Sequence, residues 1–314
     1  MRTPRISVVI PTFNRPAELL TCLEGFAQQT SAAEEFEVVV VDDGSAEDLE
    51  KIAAHFRDSF PLHVERCDHA GVSTARNLAI TLARAPLLLL YDDDLRPLPE
   101  LIASCLRFHE QHTAIHEAEL LHFAPDPEIA EMAVVRWAFE RLYPFPATAG
   151  IYPWGYFWGG ATTCKRSLFA ELAFDPVYPA VEDAEFAFRA SVRRPLAIHY
   201  ASRTNGHFHR RLSVVQVCHR EYRMAYFRCR MASQHGTRFS HLVYERPGDF
   251  IIGDWDAYRT MLSGLCPQET APVPASSAKF QLLCGLWQKA ALHATACGWL
   301  AAQTGGTPEA SLFD

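Results

Sequence analysis

Short apolar runs alternate with amphipathic stretches from residue 6 to residue 91. Residues 6–10 (ISVVI), 36–41 (FEVVVV) and 87–91 (LLLLY) are dominated by aliphatic side chains, the pattern of strands buried on both faces. A shorter strand is predicted at about 62–66. Between the strands, Leu19, Leu20, Leu23, Phe26 and Ala27 recur at helical spacing, as do Leu49, Ile52, Ala53 and Phe56. A third helix is predicted over about 72–84. Residues 11–14 (PTFN) read as a turn, and Pro16 suits the first turn of the helix that follows. Ser45 and Asp48 have the spacing of a capping box, with Asp in place of Glu or Gln. This β-α-β-α-β-α-β order predicts a mostly parallel sheet with right-handed crossovers and helices on both faces, a Rossmann-like α/β fold.

Beyond Pro97 the pattern loosens. A helix to about His112, a strand near Leu120–Phe123 and a helix from Glu128 to Leu142 are predicted before Pro144, Pro146 and Pro153 break the chain. Aromatic residues crowd positions 152–158, where they fill a core or line a pocket. Residues 158–165 (WGGATTCK) read as a strand whose paired glycines let something approach the backbone closely. A helix opens with Glu182-Asp183-Ala184-Glu185 and runs to about Arg194, and a strand follows over 195–202. The last periodic stretch, about 279–303, is rich in Ala, Leu and Trp. Gln288, Lys289 and His293 interrupt it, so it reads as an amphipathic helix rather than a membrane span. The expected organisation is one α/β domain over 1–234, in two halves that meet at about 110, then a helical extension over 235–314.

The candidate chemistry lies where the most apolar strands end. The run at 36–41 leads into Asp42-Asp43-Gly44-Ser45, and the run at 87–91 into Asp92-Asp93-Asp94. Ligands of open α/β sheets sit outside the carboxyl ends of strands. Alternate residues of an extended segment point the same way, so Asp92 and Asp94 can share a hard cation such as Mg2+ or Mn2+. Taken alone, three aspartates are equally the composition of a solvated loop; two acidic strand ends at one edge are harder to dismiss. His207 and His209, two apart, can supply a further ligand. The dinucleotide fingerprint G-x-G-x-x-G is absent from the first turn, which disfavours that cofactor.

Composition changes this picture little. A net charge of −8 argues against nucleic acid as a partner. Nine dispersed cysteines without a C-x-x-C read as free thiols in a reducing cytoplasm, and the N-terminus has no signal-peptide layout. Against the acidic balance, residues 189–230 hold ten arginines and one acid, Glu221. That bias suits a pyrophosphate, an acidic partner, peripheral contact with anionic lipid, or a solvated face paired with acids elsewhere.

Four segments, taken in order, resemble the family 2 glycosyltransferases: ISVVIPTFNRPAEL, VVVVDDGS, GVSTARNLAI with LLLLYDDDLRP, and WGGATTCKRSLF with FDPVYPAVEDAEFAFR. The resemblance covers about residues 5–210 and implies a GT-A fold and an inverting transfer of sugar from a nucleotide-diphosphate donor. On that resemblance, Pro11, Thr12, Asn14, Asp42 and Asp43 lie against the nucleoside. Asp92 meets the ribose, and Arg76 the donor phosphates or sugar. Asp94 is the direct ligand of Mn2+ or Mg2+, with Asp92 nearby and His207 or His209 completing the site. Asp183, beside Glu182, is the general base, and Trp158, Gly159 and Gly160 lie on the acceptor side. Asp93 is grouped with the donor-binding residues but adds charge without an obvious role of its own. The donor is expected to be a UDP-sugar, and the acceptor a glycan, a lipid-linked glycan or a small molecule. The expected setting is the cytoplasm, with peripheral contact at the inner membrane face. The C-terminal extension is a candidate homodimer contact. A nucleotidyltransferase is the competing enzyme reading, but it would carry a Gly-rich loop with Arg and Lys after the first strand. A non-catalytic nucleotide-sugar-binding scaffold is the competing non-enzyme reading.

Overall fold

The computed structural model describes residues 3–130, 132–236 and 278–305. The proline-rich joints expected near 247 and 267–274 lie outside them.

Contacts divide the chain into two compact units: residues 1–124 with 145–210, and residues 125–144 with 211–314. The boundary expected at about 234 differs from this division, because residues 211–235 fall in with the C-terminal helix.

In the first unit the chain runs β1 (Ile6–Thr12), α1 (Pro16–Ala27), β2 (Phe36–Asp42), α2 (Glu50–Phe56), β3 (Leu62–Arg66), α3 (Val72–Leu82) and β4 (Leu87–Tyr91). Then come β5 (Leu95–Pro97), α4 (Leu101–Gln111) and β6 (Glu117–Pro125). After residues of the second unit, β7 (Gly150–Tyr152), β8 (Ala161–Lys165), α6 (Glu182–Arg193) and β9 (Ala197–Phe208) complete it. The sheet order is β3-β2-β1-β4-β8-β6-β9-β5, with β7 added to β9.

The sheet is parallel over β3, β2, β1 and β4, as the alternating pattern predicts. It turns antiparallel where β8 joins β4, and β5 and β7 also run antiparallel to β9, so the sheet is mixed. All seven residues of β1 and all seven of β2 are buried, which explains their lack of polar alternation. The turn expected at residues 11–14 starts later, because β1 continues through Pro11 to Thr12. The proline is tolerated there because the ladder to β4 has already ended at the Val9–Leu90 pair.

The capping box read from Ser45 and Asp48 does not form. Helix α2 starts at Glu50 without a side-chain cap, and the Ser45 hydroxyl instead accepts a bond from the Asn14 backbone N–H at 2.8 Å.

The second unit contains α5 (Ala133–Leu142), α7 (Val214–His235) and α8 (Ala278–Thr304). Helix α5 starts five residues later than the Glu128 expected from periodicity. A true capping box opens α7: the Ser213 hydroxyl accepts from the Gln216 N–H, and the Gln216 side chain accepts from the Ser213 N–H. A Cβ added to Gly298 would lie 2.1 Å from the Tyr222 carbonyl oxygen, so this glycine lets α8 approach the α7 backbone. Trp137 and Trp287 pack with ring centroids 5.6 Å apart. The buried Glu221 carboxylate accepts from Arg141 at 3.2 Å and from Thr295 at 3.1 Å. Among the described residues, no helix is long and apolar enough to cross a membrane.

Candidate active site

Register brings the strand ends together. Thr12 and Asp42 are paired as the last residues of β1 and β2, and the Asp43 N–H donates to the Thr12 carbonyl at 2.9 Å. Asp42 accepts from the Ser45 N–H at 2.9 Å, and its other oxygen lies 3.5 Å from Arg66. Asp43 accepts from the Ala70 and Gly71 N–H groups at 2.8 and 2.9 Å, and His69 Nδ1 lies 2.8 Å from its carboxylate. Asn14 adopts a left-handed conformation, φ 53°, and its side-chain oxygen accepts from the Ala46 N–H. The exposed Phe13 ring stacks on His69, centroids 4.1 Å apart. The pair flanks Asp43; sequence reasoning missed both rings, because Phe13 stood in a quoted turn with no role of its own and His69 lies in a stretch that carries no motif.

At the end of β4 the three aspartates part company. Asp92 is half-buried; its N–H donates to the Gly160 carbonyl at 3.0 Å and its carboxylate accepts from Arg76 at 3.2 Å. Asp93 is buried and accepts from Thr12 Oγ1 at 2.7 Å and Arg15 at 2.9 Å. Burial pushes the Asp93 carboxyl up to about 7, with Arg15 pulling it down and Asp94 adding to the push. The residue with no role in sequence thus ties β1 and the start of α1 to the β4 edge. The Asp94 carboxylate lies 3.6 Å from Arg15 and 3.8 Å from Arg210, and its carbonyl accepts from the His209 N–H. Arg15 and Arg210 are functional candidates that sequence reasoning passed over. Arg15 follows the turn at 11–14, inside the first quoted segment, and Arg210 stands next to His209.

Arg76, on α3, is buried beneath this edge. It donates to Glu182 at 2.6 Å, sits 5.3 Å over the Phe174 ring, and its Nε has no hydrogen-bond partner. Burial raises the Glu182 carboxyl, Asp183 raises it further, and Arg76 opposes both. Asp183 accepts from the Gly159 N–H at 3.0 Å and from the Ala184 N–H at 2.7 Å. The residue before this acidic pair, Val181, has φ 62°. A left-handed conformation is costly for a β-branched side chain, so the surrounding structure holds the start of α6 in place against strain.

The paired glycines are explained by what approaches them. A Cβ at Gly160 would lie 2.0 Å from Asp92 Oδ2, and one at Gly159 would lie 2.9 Å from Arg76. Both glycines sit in the turn just before β8. Trp158 packs against Phe145, centroids 4.8 Å apart, and its N–H donates to Thr162.

His207 and His209 differ in their neighbours. His207 lies on β9 opposite Arg96. His209 Nε2 lies 3.2 Å from the Glu18 carbonyl oxygen, which can only accept, so this nitrogen carries the proton. The His209 Nδ1 is then a bare lone pair, buried without a hydrogen-bond partner. Burial lowers the His209 pKa, partly offset by Asp94. A neutral imidazole nitrogen beside a carboxylate is a donor set that fits a divalent cation. Three arginines of the arginine-rich segment pair with acids, Arg189 with Glu185, Arg193 with Glu171 and Arg210 with Asp94, and Arg203 donates to Ser104.

Comparison with known proteins places the chain among glycosyltransferase-like sequences and folds. Validoxylamine A glucosyltransferase of Streptomyces hygroscopicus subsp. jinggangensis is 30% identical over 182 residues, 49% of this chain and 43% of that protein. The chain thus spans less than half the length of that curated relative. The mannosyltransferase PcManGT from Pyrobaculum calidifontis, solved with GDP-Man and Mn2+, aligns over 96% of this chain and 88% of its own, with TM-score 0.63 and 16% identity. TarS 1-349 of S. aureus, solved with UDP, aligns over 96% and 92%, with TM-score 0.56 and 18% identity. At such identities the structural likeness speaks to the fold. The model of Glycosyl transferase family 2 matches residues 7–118, from β1 through the three aspartates to the start of β6. Residues 7–118 are thus similar to glycosyltransferase family 2, and the described fold is the GT-A fold of these structural neighbours.

Proposed function

We propose that the chain transfers a sugar from a nucleotide-diphosphate donor, a UDP-sugar, to an acceptor hydroxyl in one inverting displacement. The observation that carries this reading is the convergence of Asp92, Arg76, Glu182, Asp183 and the Gly159-Gly160 turn at one sheet edge. Asp183 is the general base. One backbone N–H on each carboxylate oxygen fixes its orientation and leaves a lone pair on each for the acceptor proton. Glu182 does not compete for that role, because Arg76 holds it. Arg76 in turn positions Asp92 toward the ribose. The stacked Phe13 and His69 offer a flat face to the nucleobase. Asp94, with Asp92 and with His209 or His207, would hold Mn2+ or Mg2+, which supplies positive charge against the diphosphate leaving group. Arg15 and Arg210 already carry positive charge beside Asp94.

The reading is tested by donor turnover with Mn2+ across a panel of UDP-, GDP- and dTDP-sugars, alongside donor-induced thermal shifts. Turnover abolished by chelator is expected. Asp183→Asn is expected to lose transfer by about 10²–10⁴-fold while still binding donor. Normal transfer by that variant would remove Asp183 as the base.

A further inference from the structure

The opposite edge of the same sheet carries a second group of ligand-type side chains. Antiparallel pairing of Glu119 with Thr163 sets the start of β6 level with the end of β8, where Lys165 pairs with Leu87 at the start of β4. The aspartates follow the other end of β4. His112 follows α4, Glu117 opens β6, and His199 lies early in β9. The Ala197 N–H donates to the His116 carbonyl at 2.9 Å, which brings the start of β9 to this edge. Among the described residues, His112, Glu117 and His199 are the three such side chains whose ligand atoms all lie within 4.8 Å of one another.

We propose that His112, Glu117 and His199 bind a divalent ion of the Zn2+ class, separate from the aspartate edge. His112 Nδ1 and His199 Nε2 each lie 3.4 Å from the same oxygen, Glu117 Oε1. Zn–N and Zn–O bonds of about 2.0–2.1 Å make the edge of a coordination tetrahedron about 3.3–3.4 Å. Two of the three edges therefore already have the length that a shared ion requires. The second oxygen of Glu117 is anchored by the Ala114 N–H at 3.1 Å, which leaves Oε1 turned to the rings. The His112 ring stacks on Phe108, centroids 4.4 Å apart, and lies 4.1 Å from the His199 ring.

A simple ion-pair cluster leaves one atom unexplained. His199 Nε2 is buried and has no hydrogen-bond partner, although Glu117 is close. In the tautomer that carries its proton on Nδ1, this nitrogen presents an uncommitted lone pair, which is what a metal ligand needs. Lys165 does not compete for the carboxylate, because its ammonium donates to the His112 carbonyl at 2.6 Å. Two imidazoles and one carboxylate favour Zn2+ over Mg2+ or Mn2+, which prefer all-oxygen sites. Side-chain exposures of 30%, 25% and 16% leave room for water at the fourth position. The ion would clamp the end of α4 to the first residues of β6 and β9.

The test reads metal content and stability rather than sugar transfer, so it stands or falls apart from the function proposed above. The full chain, free of any affinity tag and stripped with chelator, is loaded with Zn2+, dialysed and assayed by elemental analysis. The parent is expected to retain one more Zn2+ per chain than His199→Gln or His112→Gln. Zn2+ is expected to raise the parent Tm but not that of either variant. Loss of a ligand is expected to weaken Zn2+ binding by more than about 100-fold, beyond the cost of losing an outer-shell partner. Co2+ replacing Zn2+ in the parent is expected to give visible absorption of a four- or five-coordinate site without thiolate charge-transfer bands. This measurement needs no variant to fold. Equal Zn2+ content and Tm shift in parent and variants, or a thiolate-dominated Co2+ spectrum, would overturn the proposal.

Discussion

Two strands of the parallel half end in adjacent aspartates; at one end backbone N–H groups carry the carboxylates, with Arg66 and His69 alongside, and at the other end arginines do. After β2, Asp42 and Asp43 are bonded to the backbone N–H groups of Ser45, Ala70 and Gly71. After β4, the carboxylates of Asp92, Asp93 and Asp94 face the arginines Arg76, Arg15 and Arg210. A backbone donor cannot leave without unfolding its loop. An arginine can share its carboxylate with another cation. The β2 aspartates are therefore framework that shapes the loops carrying Phe13 and His69, and the β4 aspartates are the exchangeable charge of the proposed site.

The contrast breaks if the two ends respond alike to substitution. Asp94→Ala is expected to lower metal-supported transfer by about 100-fold or more, since a lost metal contact removes several kcal/mol of charge stabilisation. Its Tm should stay within a few degrees of the parent, as scanning calorimetry would show. Asp43→Ala is the converse. It leaves two backbone donors without their acceptor, costs about 1–3 kcal/mol, and should lower Tm by about 2–10 °C. A stable Asp43→Ala chain that cannot turn over would invert the assignment. Gly160→Ala sharpens the β4 side. The added methyl displaces the Asp92 carboxylate from Arg76, and a misplacement of this kind should lower kcat/KM by about tenfold with little change in fold.

A pH-dependent effect, absent at neutral pH, lies away from both strand ends. Burial holds His109 down to about 3 from the ordinary 6.5, and the charges of Lys165 and His112 add to it. As pH falls, the unfolded chain takes up this proton first. The stability carried by the neutral ring is whole above about 6.5 and is lost progressively toward about 3. His109→Gln should flatten the fall of Tm with pH inside that window and leave it unchanged above.

Much of the parallel half was legible because strands buried on both faces announce themselves as apolar runs, and the acids that follow mark one edge. Arg76, Gly159-Gly160 and Glu182-Asp183 were legible as candidates, but only the fold shows that they touch. The role of Asp93 was not legible, because Thr12 and Arg15 come from another strand end. The Ser45 capping box misled because the Asn14 turn claims the hydroxyl. The antiparallel strands were harder to read: β5 is three residues long, and β9 runs through Gly206 to Phe208, well past the polar positions where periodicity ends it.

The second unit is drawn from two separate stretches of chain, and this sets a timetable for its birth. Arg141 and Gln288, which bond across it, are 147 residues apart. At about 5–20 residues per second, the ribosome adds that length in about 7–30 s. Throughout that interval Trp137 waits for Trp287. Folding of this unit therefore waits until α8 has been made, and a nascent chain stalled before α8 would present α5 and α7 to chaperones with their apolar faces uncovered.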